Sequence, residues 1–348
     1  MSEDLASSRL HVLGAAGSPY TRKVIAALRY RHIPYALHWG SHRSPMPGFP
    51  EAKVKLLPTV YFPQAEGGYE AQVDSTPILA RLERDYKGRG LVPTDPVMAF
   101  LDHLIEDFAD EWLTKAMFHY RWARQADIAH AGPQLVFWHD TTTSDADAKA
   151  ASDFISKRQI DRLYVVGSNE VTAATIEQSY ERLVGVLEAL IQPAGFVMGA
   201  RPGTSDFGLY GQLTQLGVVD PTPAAHCAEH APRLRAWIDR MEDLSGLEPK
   251  ETDWLSRDDA SACLAPLLAE IGRVYVPFLC ANAQAAQAGE ASFETIIDGR
   301  AWTQPTFAYQ AKCLVWLKDH AKSLSASDGA ACRDILAGTG CEALIETN

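Results

Sequence analysis

The sequence predicts an α+β chain: a βαβ-ββα domain at the N-terminus, an all-α domain after it, and a mainly helical C-terminal extension with a possible small hairpin. Three observations predict this. A Ser18-Pro19 helix start follows directly on a short apolar stretch. Pro58 and the Gly67-Gly68 pair bracket an apolar strand. From about Asp95 onward, apolar residues recur at helical spacing through most of the remaining chain.

Leu10 to Leu13 reads as the first strand and Gly14 to Gly17 as a loop. Ser18 is then a helix N-cap with Pro19 at the first helical position, where a missing N–H costs nothing. Val24, Ala27 and Leu28 mark the buried face of a helix that ends near Tyr30. Ile33 to His38 is a second strand, which completes a right-handed βαβ unit with parallel strands. Pro58 precedes a third strand, Thr59 to Phe62, and Gly67-Gly68 turns the chain into a fourth, Tyr69 to Val73. Asp74-Ser75-Thr76-Pro77 opens a helix carrying Ile78, Leu79, Leu82 and Tyr86.

The turn Ser18-Pro19-Tyr20-Thr21 has hydroxyls at the two positions where a dithiol redox turn carries cysteines. A hydroxyl forms no disulfide, but it donates a hydrogen bond to a thiolate supplied by another molecule. The composition narrows the function classes further. The 348 residues hold 32 Lys and Arg against 44 Asp and Glu, a net charge of −12, which repels phosphate backbones and argues against nucleic-acid binding. The residues from Met1 to Leu10 lack the basic and apolar regions of a signal peptide, and no stretch approaches the ~20 apolar residues of a membrane span. The six cysteines, Cys227, Cys263, Cys280, Cys313, Cys332 and Cys341, show no C-x-x-C pair and no zinc spacing, so reduced thiols and a cytoplasmic location are expected. No G-x-S-x-G elbow, dinucleotide loop or P-loop lysine occurs.

Taken in order and at their spacing, the Ser18-Pro19-Tyr20 turn, the Leu57-Pro58 step and the Asp74-Ser75 pair resemble the thioredoxin-like domain of the cytosolic glutathione transferase superfamily. The resemblance spans roughly residues 10–245 and implies a glutathione site. Pro58 would be cis, and the backbone of Leu57 would pair with the cysteinyl residue of glutathione as an added strand does. Ser75 would mark the helix N-terminus that receives the γ-glutamyl carboxylate, and Asp74 would meet the ammonium. The glycyl carboxylate calls for a cation, with Lys55 the candidate beside Lys53, His42 and Arg43. Ser18 would hold the thiolate, with Tyr20 and Thr21 as neighbouring hydroxyls. A free thiol titrates near about 8.5, and a helix N-terminus with a hydroxyl donor lowers that value.

Three units are expected: residues 9–88, 95–245 and 246–348, with a linker at Gly88 to Pro93. In the second unit, Glu106, Asp107, Asp110 and Glu111 share a helix face that reads as a solvated acidic stripe rather than a metal site with His103 and His119. Residues 130–150 read as a loop followed by a helix start. Asp206 matches the buried capping aspartate of the family's helical domain, but the cap position is Gly203, which leaves reciprocal capping open. In the extension, Leu264 to Phe278 form one helical face kinked at Pro277. Asp298-Gly299 centres a hairpin, and Trp302 and Tyr309 are either core or lid aromatics. The resemblance implies a homodimer, and the extension either covers the cleft or replaces the usual dimer contact.

The expected function is conjugation of the glutathione thiolate to a small electrophilic, largely apolar substrate, with glutathione as co-substrate and no metal. A glutathione-dependent isomerase, dehalogenase or ether-cleaving enzyme would use the same residues. A non-catalytic glutathione-binding or interaction scaffold would use the binding residues alone.

Overall fold

The computed structural model describes residues 9–44 and 46–345. The segment read above for a signal lies mostly outside them. The first sheet has the order β2-β1-β3-β4, built from β1 (Leu10–Gly14), β2 (Tyr35–Trp39), β3 (Thr59–Pro63) and β4 (Tyr69–Val73). β1 and β2 run parallel from the pair Leu10 and Tyr35, joined by helix α1 (Pro19–Tyr30). β3 is antiparallel to both β1 and β4. Gly67 and Gly68, with φ of 89° and 80°, make the turn that returns β3 into β4. Helix α2 (Ser75–Asp85) closes the domain. Val12, Val24, Leu28, Val60, Ile78 and Leu82 are fully buried within it.

The helical part comprises α3 (Pro96–Phe108), a π-helical turn over Ala109–Leu113, α4 (Thr114–Ala123), α5 (Gln125–His139), α6 (Asp145–Ile160), α7 (Ala173–Leu190), α8 (Thr204–Thr214), α9 (Pro221–His230) and α10 (Pro232–Met241). Residues 130–139, read as loop, continue α5 as helix through Pro133. α1 packs on α8 at Gly211, where a Cβ would lie 2.5 Å from the Pro19 carbonyl oxygen. Only glycine permits that approach, and it seats the first domain on the helices.

The capping question at α8 has a physical answer. Asp206 accepts hydrogen bonds from the Gly203 N–H at 3.0 Å and the Val197 N–H at 2.8 Å. The side chain that Gly203 lacks is replaced from α3, because Asp102 accepts from the N–H groups of Thr204 (3.1 Å) and Ser205 (3.0 Å). A Cβ at Gly203 would stand 2.3 Å from Asp102 Oδ1, so the glycine makes room for the substitute cap.

The extension consists of α11 (Arg257–Ala288), a hairpin of β5 (Ser292–Ile297) and β6 (Arg300–Pro305), α12 (Ala308–Ser323) and α13 (Ala326–Leu336). α11 is one helix through Pro266 and Pro277. Contrary to the sequence reading, it is long and apolar enough to cross a membrane by length and composition, yet more than half of its most apolar window is buried in the protein. Leu264, Leu268, Ile271, Val274 and Phe278 are fully buried. Trp302 of β6 is core, its ring 5.3 Å from Trp112 and 6.0 Å from Phe278. Asn282 of α11 bonds both the N–H and the carbonyl of Phe307 and so fixes where α12 begins. The extension therefore packs on the helical part of its own chain.

Candidate functional site

A cavity of about 340 Å³ lies between the sheet domain, the α3–α4 rod and α12. Its first wall carries Tyr20, Leu57, Asp74, Ser75 and Thr76. The Leu57–Pro58 peptide is cis. Among the described residues, the N–H and carbonyl of Leu57 make no backbone hydrogen bond. Asp74 adopts φ 75° and ψ 118°, a conformation that non-glycine residues avoid outside functional sites. No side chain caps α2, so the first-turn N–H groups of Ser75 and Thr76 remain available to an anion.

The second wall overturns the reading of a solvated acidic stripe. Glu106 and Asp110 are only 4% and 5% exposed. They are buried because Lys23 of α1, itself fully buried, places Nζ 2.6 Å from Glu106 Oε1 and 2.5 Å from Asp110 Oδ2. A buried carboxylate is costly unless paired, and Lys23 pairs two. Burial disfavours the Lys23 charge, but Asp110 and Glu106 outweigh it and hold the ammonium protonated. Burial also works against ionised Glu106, yet Lys23 keeps its pKa below the ordinary value. At Asp110 burial prevails over Lys23 and pushes the carboxyl up to about 6. Lys23 Nζ lies 3.4 Å from the hydroxyls of Ser75 and Thr76 as well, which ties the triad to the start of α2.

Further along the rod, the π turn keeps Asp107, Asp110, Glu111 and Lys115 on the cavity wall. Burial pushes Asp107 up to about 7, although the Tyr275 hydroxyl donates to its Oδ2 at 2.6 Å. Burial, with the charges of Asp107 and Asp110, pushes Glu111 up to about 8. Burial pulls Lys115 down to about 7; its Nζ is held by Gln304 Oε1 at 3.1 Å and lies 4.0 Å above the Phe278 ring. Of the two histidines named with this stripe, His103 lines the cavity and pairs with His320, whereas His119 is away from it and bonds Ser168 and Glu177.

The third wall is the extension, through Phe307, Tyr309, Gln310 and Trp316. The Tyr309 hydroxyl donates to Asp74 Oδ2 at 2.6 Å. Burial, with the charges of Asp74 and Glu111, raises the pKa of that phenol far above its ordinary value, so it is a neutral donor.

The structure thus brings Leu57, Asp74 and Ser75 to one cavity, next to the buried cis Pro58. It does not bring Ser18 or Lys55 to the same wall. Ser18 caps α1, its Oγ accepting from the Thr21 N–H at 3.2 Å, and it is half-buried. The loop before it is covered by α5, since a Cβ on Gly17 would meet Leu135 and Trp138. Lys55 is exposed, 3.8 Å from Glu51, and borders a separate cavity of about 370 Å³ with His42 and Arg43. Lys53 is exposed. The sequence reading missed Lys23, Lys115 and Gln310 as site residues. For Lys23 a signal exists: it lies one turn before Ala27 on the face that Val24 and Ala27 mark as buried, a charged residue at an apolar position.

The family model for the glutathione S-transferase N-terminal domain matches residues 12–90. No curated protein matches the chain. Among solved structures, a glutathione S-transferase from Methylobacterium radiotolerans, in complex with glutathione sulfonate, is 18% identical, with a TM-score of 0.39, covering 70% of this chain and 99% of its own. A Tau class glutathione S-transferase from mango is 17% identical, with a TM-score of 0.43, over 71% of this chain and 96% of its own. The beta-etherase LigF from Sphingobium sp. strain SYK-6 is 15% identical, with a TM-score of 0.47, over 67% and 95%.

Proposed function

From the premise that this chain has a glutathione transferase-like fold, with residues 12–90 as its glutathione S-transferase N-terminal domain, we propose that it binds glutathione in the interdomain cavity and directs the thiolate at a small electrophile. One observation carries the reading: the unpaired backbone of Leu57, the carboxylate of Asp74 and the uncapped amides of Ser75 and Thr76 share one cavity. In this arrangement the γ-glutamyl carboxylate lies on the α2 N-terminus, its ammonium meets Asp74, and the cysteinyl backbone pairs with Leu57. The thiol then extends toward the start of α1.

Ser18 is the residue we assign to the thiolate. The Tyr20 hydroxyl donates to the Asp110 carbonyl at 2.8 Å, and Thr21 Oγ1 accepts from the Ala15 N–H at 3.3 Å. Ser18 Oγ accepts from Thr21 and keeps its own proton free to donate. A hydrogen bond to the thiolate at a helix N-terminus lowers its pKa and raises the fraction of nucleophile. The thiolate forms a C–S bond at the electrophilic carbon as the leaving group departs. Isomerisation, dehalogenation and ether cleavage begin with the same nucleophile.

The position of Ser18 off the cavity wall favours a second reading, glutathione binding without turnover. Assay of the wild type and Ser18→Ala with reduced glutathione and 1-chloro-2,4-dinitrobenzene, 4-nitrobenzyl chloride and an aryl ether separates the two. The enzymatic reading expects turnover that falls about 10–1000-fold in the variant, the scale of one lost stabilising donor. Turnover unchanged in Ser18→Ala removes the catalytic assignment. Binding with no turnover of any electrophile favours the scaffold.

A further inference from the structure

Two side-chain acceptors on the helical side of the cavity have no hydrogen-bond partner. Asp110 Oδ1 is buried and has no hydrogen-bond partner, although Oδ2 of the same carboxylate is bound to Lys23. Gln310 Oε1, on α12 and outside the acidic run, is likewise buried without a partner, while its amide nitrogen donates to Glu111 at 3.0 Å. That donation fixes which end of the amide is the orphan. Gln310 is 3% exposed and Asp110 5%, and both line the cavity. Buried acceptors left unpaired cost free energy that a donor-bearing ligand recovers. Asp107 and Glu111 add two further carboxyl groups to the same wall.

Two lysines adjoin this wall, and neither bonds Asp110 Oδ1 or Gln310 Oε1. Lys115 points at Gln304 Oε1 and the Phe278 ring, and among the described residues it forms no ion pair. Lys23 is already shared between Glu106 and Asp110. The same cavity is lined by the apolar side chains of Leu56, Val165, Val166, Phe307 and Trp316. Buried acceptors and apolar side chains in one cavity fit an amphipathic cation.

We propose that this half of the cavity is a binding site for a second substrate that carries a protonated amine on an apolar or aromatic body, with the ammonium at Asp110 Oδ1 and Gln310 Oε1. The proposal deepens the glutathione reading by naming the class of co-substrate and rests on it only for what happens after binding.

The test is calorimetric titration of the full chain with 2-phenylethylammonium, and with 2-phenylethanol and 3-phenylpropanoate as neutral and anionic comparators. Each titration is run alone and with saturating S-methylglutathione, which has no reactive thiol. The expected result is ammonium binding at least about tenfold tighter than the alcohol, retained beside S-methylglutathione and reduced at least about tenfold by Asp110→Asn. Gln310→Ala, which leaves the Lys23 pairs intact, is the second variant and is expected to weaken the ammonium several-fold while sparing the alcohol. Equal affinity for ammonium and alcohol overturns the proposal. So does ammonium binding that S-methylglutathione abolishes, because the amine then occupies the tripeptide's own subsite. Ammonium binding with no S-methylglutathione binding upholds this site and removes the glutathione reading instead.

Discussion

Tyr309 of the C-terminal extension donates its hydroxyl to Asp74 of the sheet domain at 2.6 Å. Asp74 stands at positive φ directly before α2, its carboxylate does not cap that helix, and Tyr309 is a partner that fixes its direction. The extension thereby forms part of the cavity that receives glutathione in our proposal. Tyr309→Phe is expected to weaken S-methylglutathione binding about three- to tenfold, the net worth of one ordinary hydrogen bond. Calorimetry measures it. Unchanged affinity means that Tyr309 does not orient Asp74, and tighter binding means that the phenol competes for the ammonium's place.

Lys23 is the next test, because it holds two buried carboxylates at once. Lys23→Met removes their counter-charge and is expected to destabilise the fold by about 3–5 kcal/mol. The double variant Lys23→Met with Glu106→Gln should recover part of that loss. Urea denaturation followed by tryptophan fluorescence gives both values. A single variant within about 1 kcal/mol of the wild type contradicts a buried, charged triad.

The acid wall predicts a pH dependence with a definite sign. Glu111 titrates near 8 in the folded chain against an ordinary value of 4.5. Between those values the folded state keeps a proton that the unfolded state has lost. The contribution of Glu111 to stability therefore falls as pH rises through that window. Asp107, pushed up to about 7, acts in the same direction. Glu111→Gln removes the titration and keeps a polar group for Gln310. Its melting temperature is expected to exceed the wild type's by a few degrees at about pH 8, with little difference at about pH 5. An equal difference at both pH values means that the carboxyl is not held protonated.

Gly203→Ala tests the substituted cap. The new Cβ would meet Oδ1 of Asp102, whose Oδ1 and Oδ2 accept from the amides of Ser205 and Thr204 respectively. A loss of about 1–3 kcal/mol is expected in the same denaturation experiment, from displacement of the capping carboxylate and overpacking. A neutral substitution would mean that Asp102 does not cap α8.

The parts of this fold that the sequence makes legible are those governed by neighbours in the chain. Ser18 caps the helix that Pro19 begins, Gly67-Gly68 makes its turn, and Asp298 and Gly299 take the positive φ values of 51° and 72° that a tight hairpin needs. The cavity residues Leu57, Asp74 and Ser75 are legible because each lies beside such a punctuation point. What is not legible depends on distant partners. Glu106 and Asp110 read as a solvated face because the lysine that buries them is 83 and 87 residues away. Gly203 reads as a weakened cap because its replacement, Asp102, belongs to another helix about a hundred residues earlier in the chain.

The central claim is that Leu57, Asp74 and Ser75 together form a glutathione site. Calorimetric titration of the purified wild type and of Asp74→Ala with reduced glutathione tests it most directly. Saturable one-site binding by the wild type, lost or weakened at least about tenfold in the variant, is the predicted result. No binding by the wild type, or binding that Asp74→Ala leaves unchanged, would contradict it.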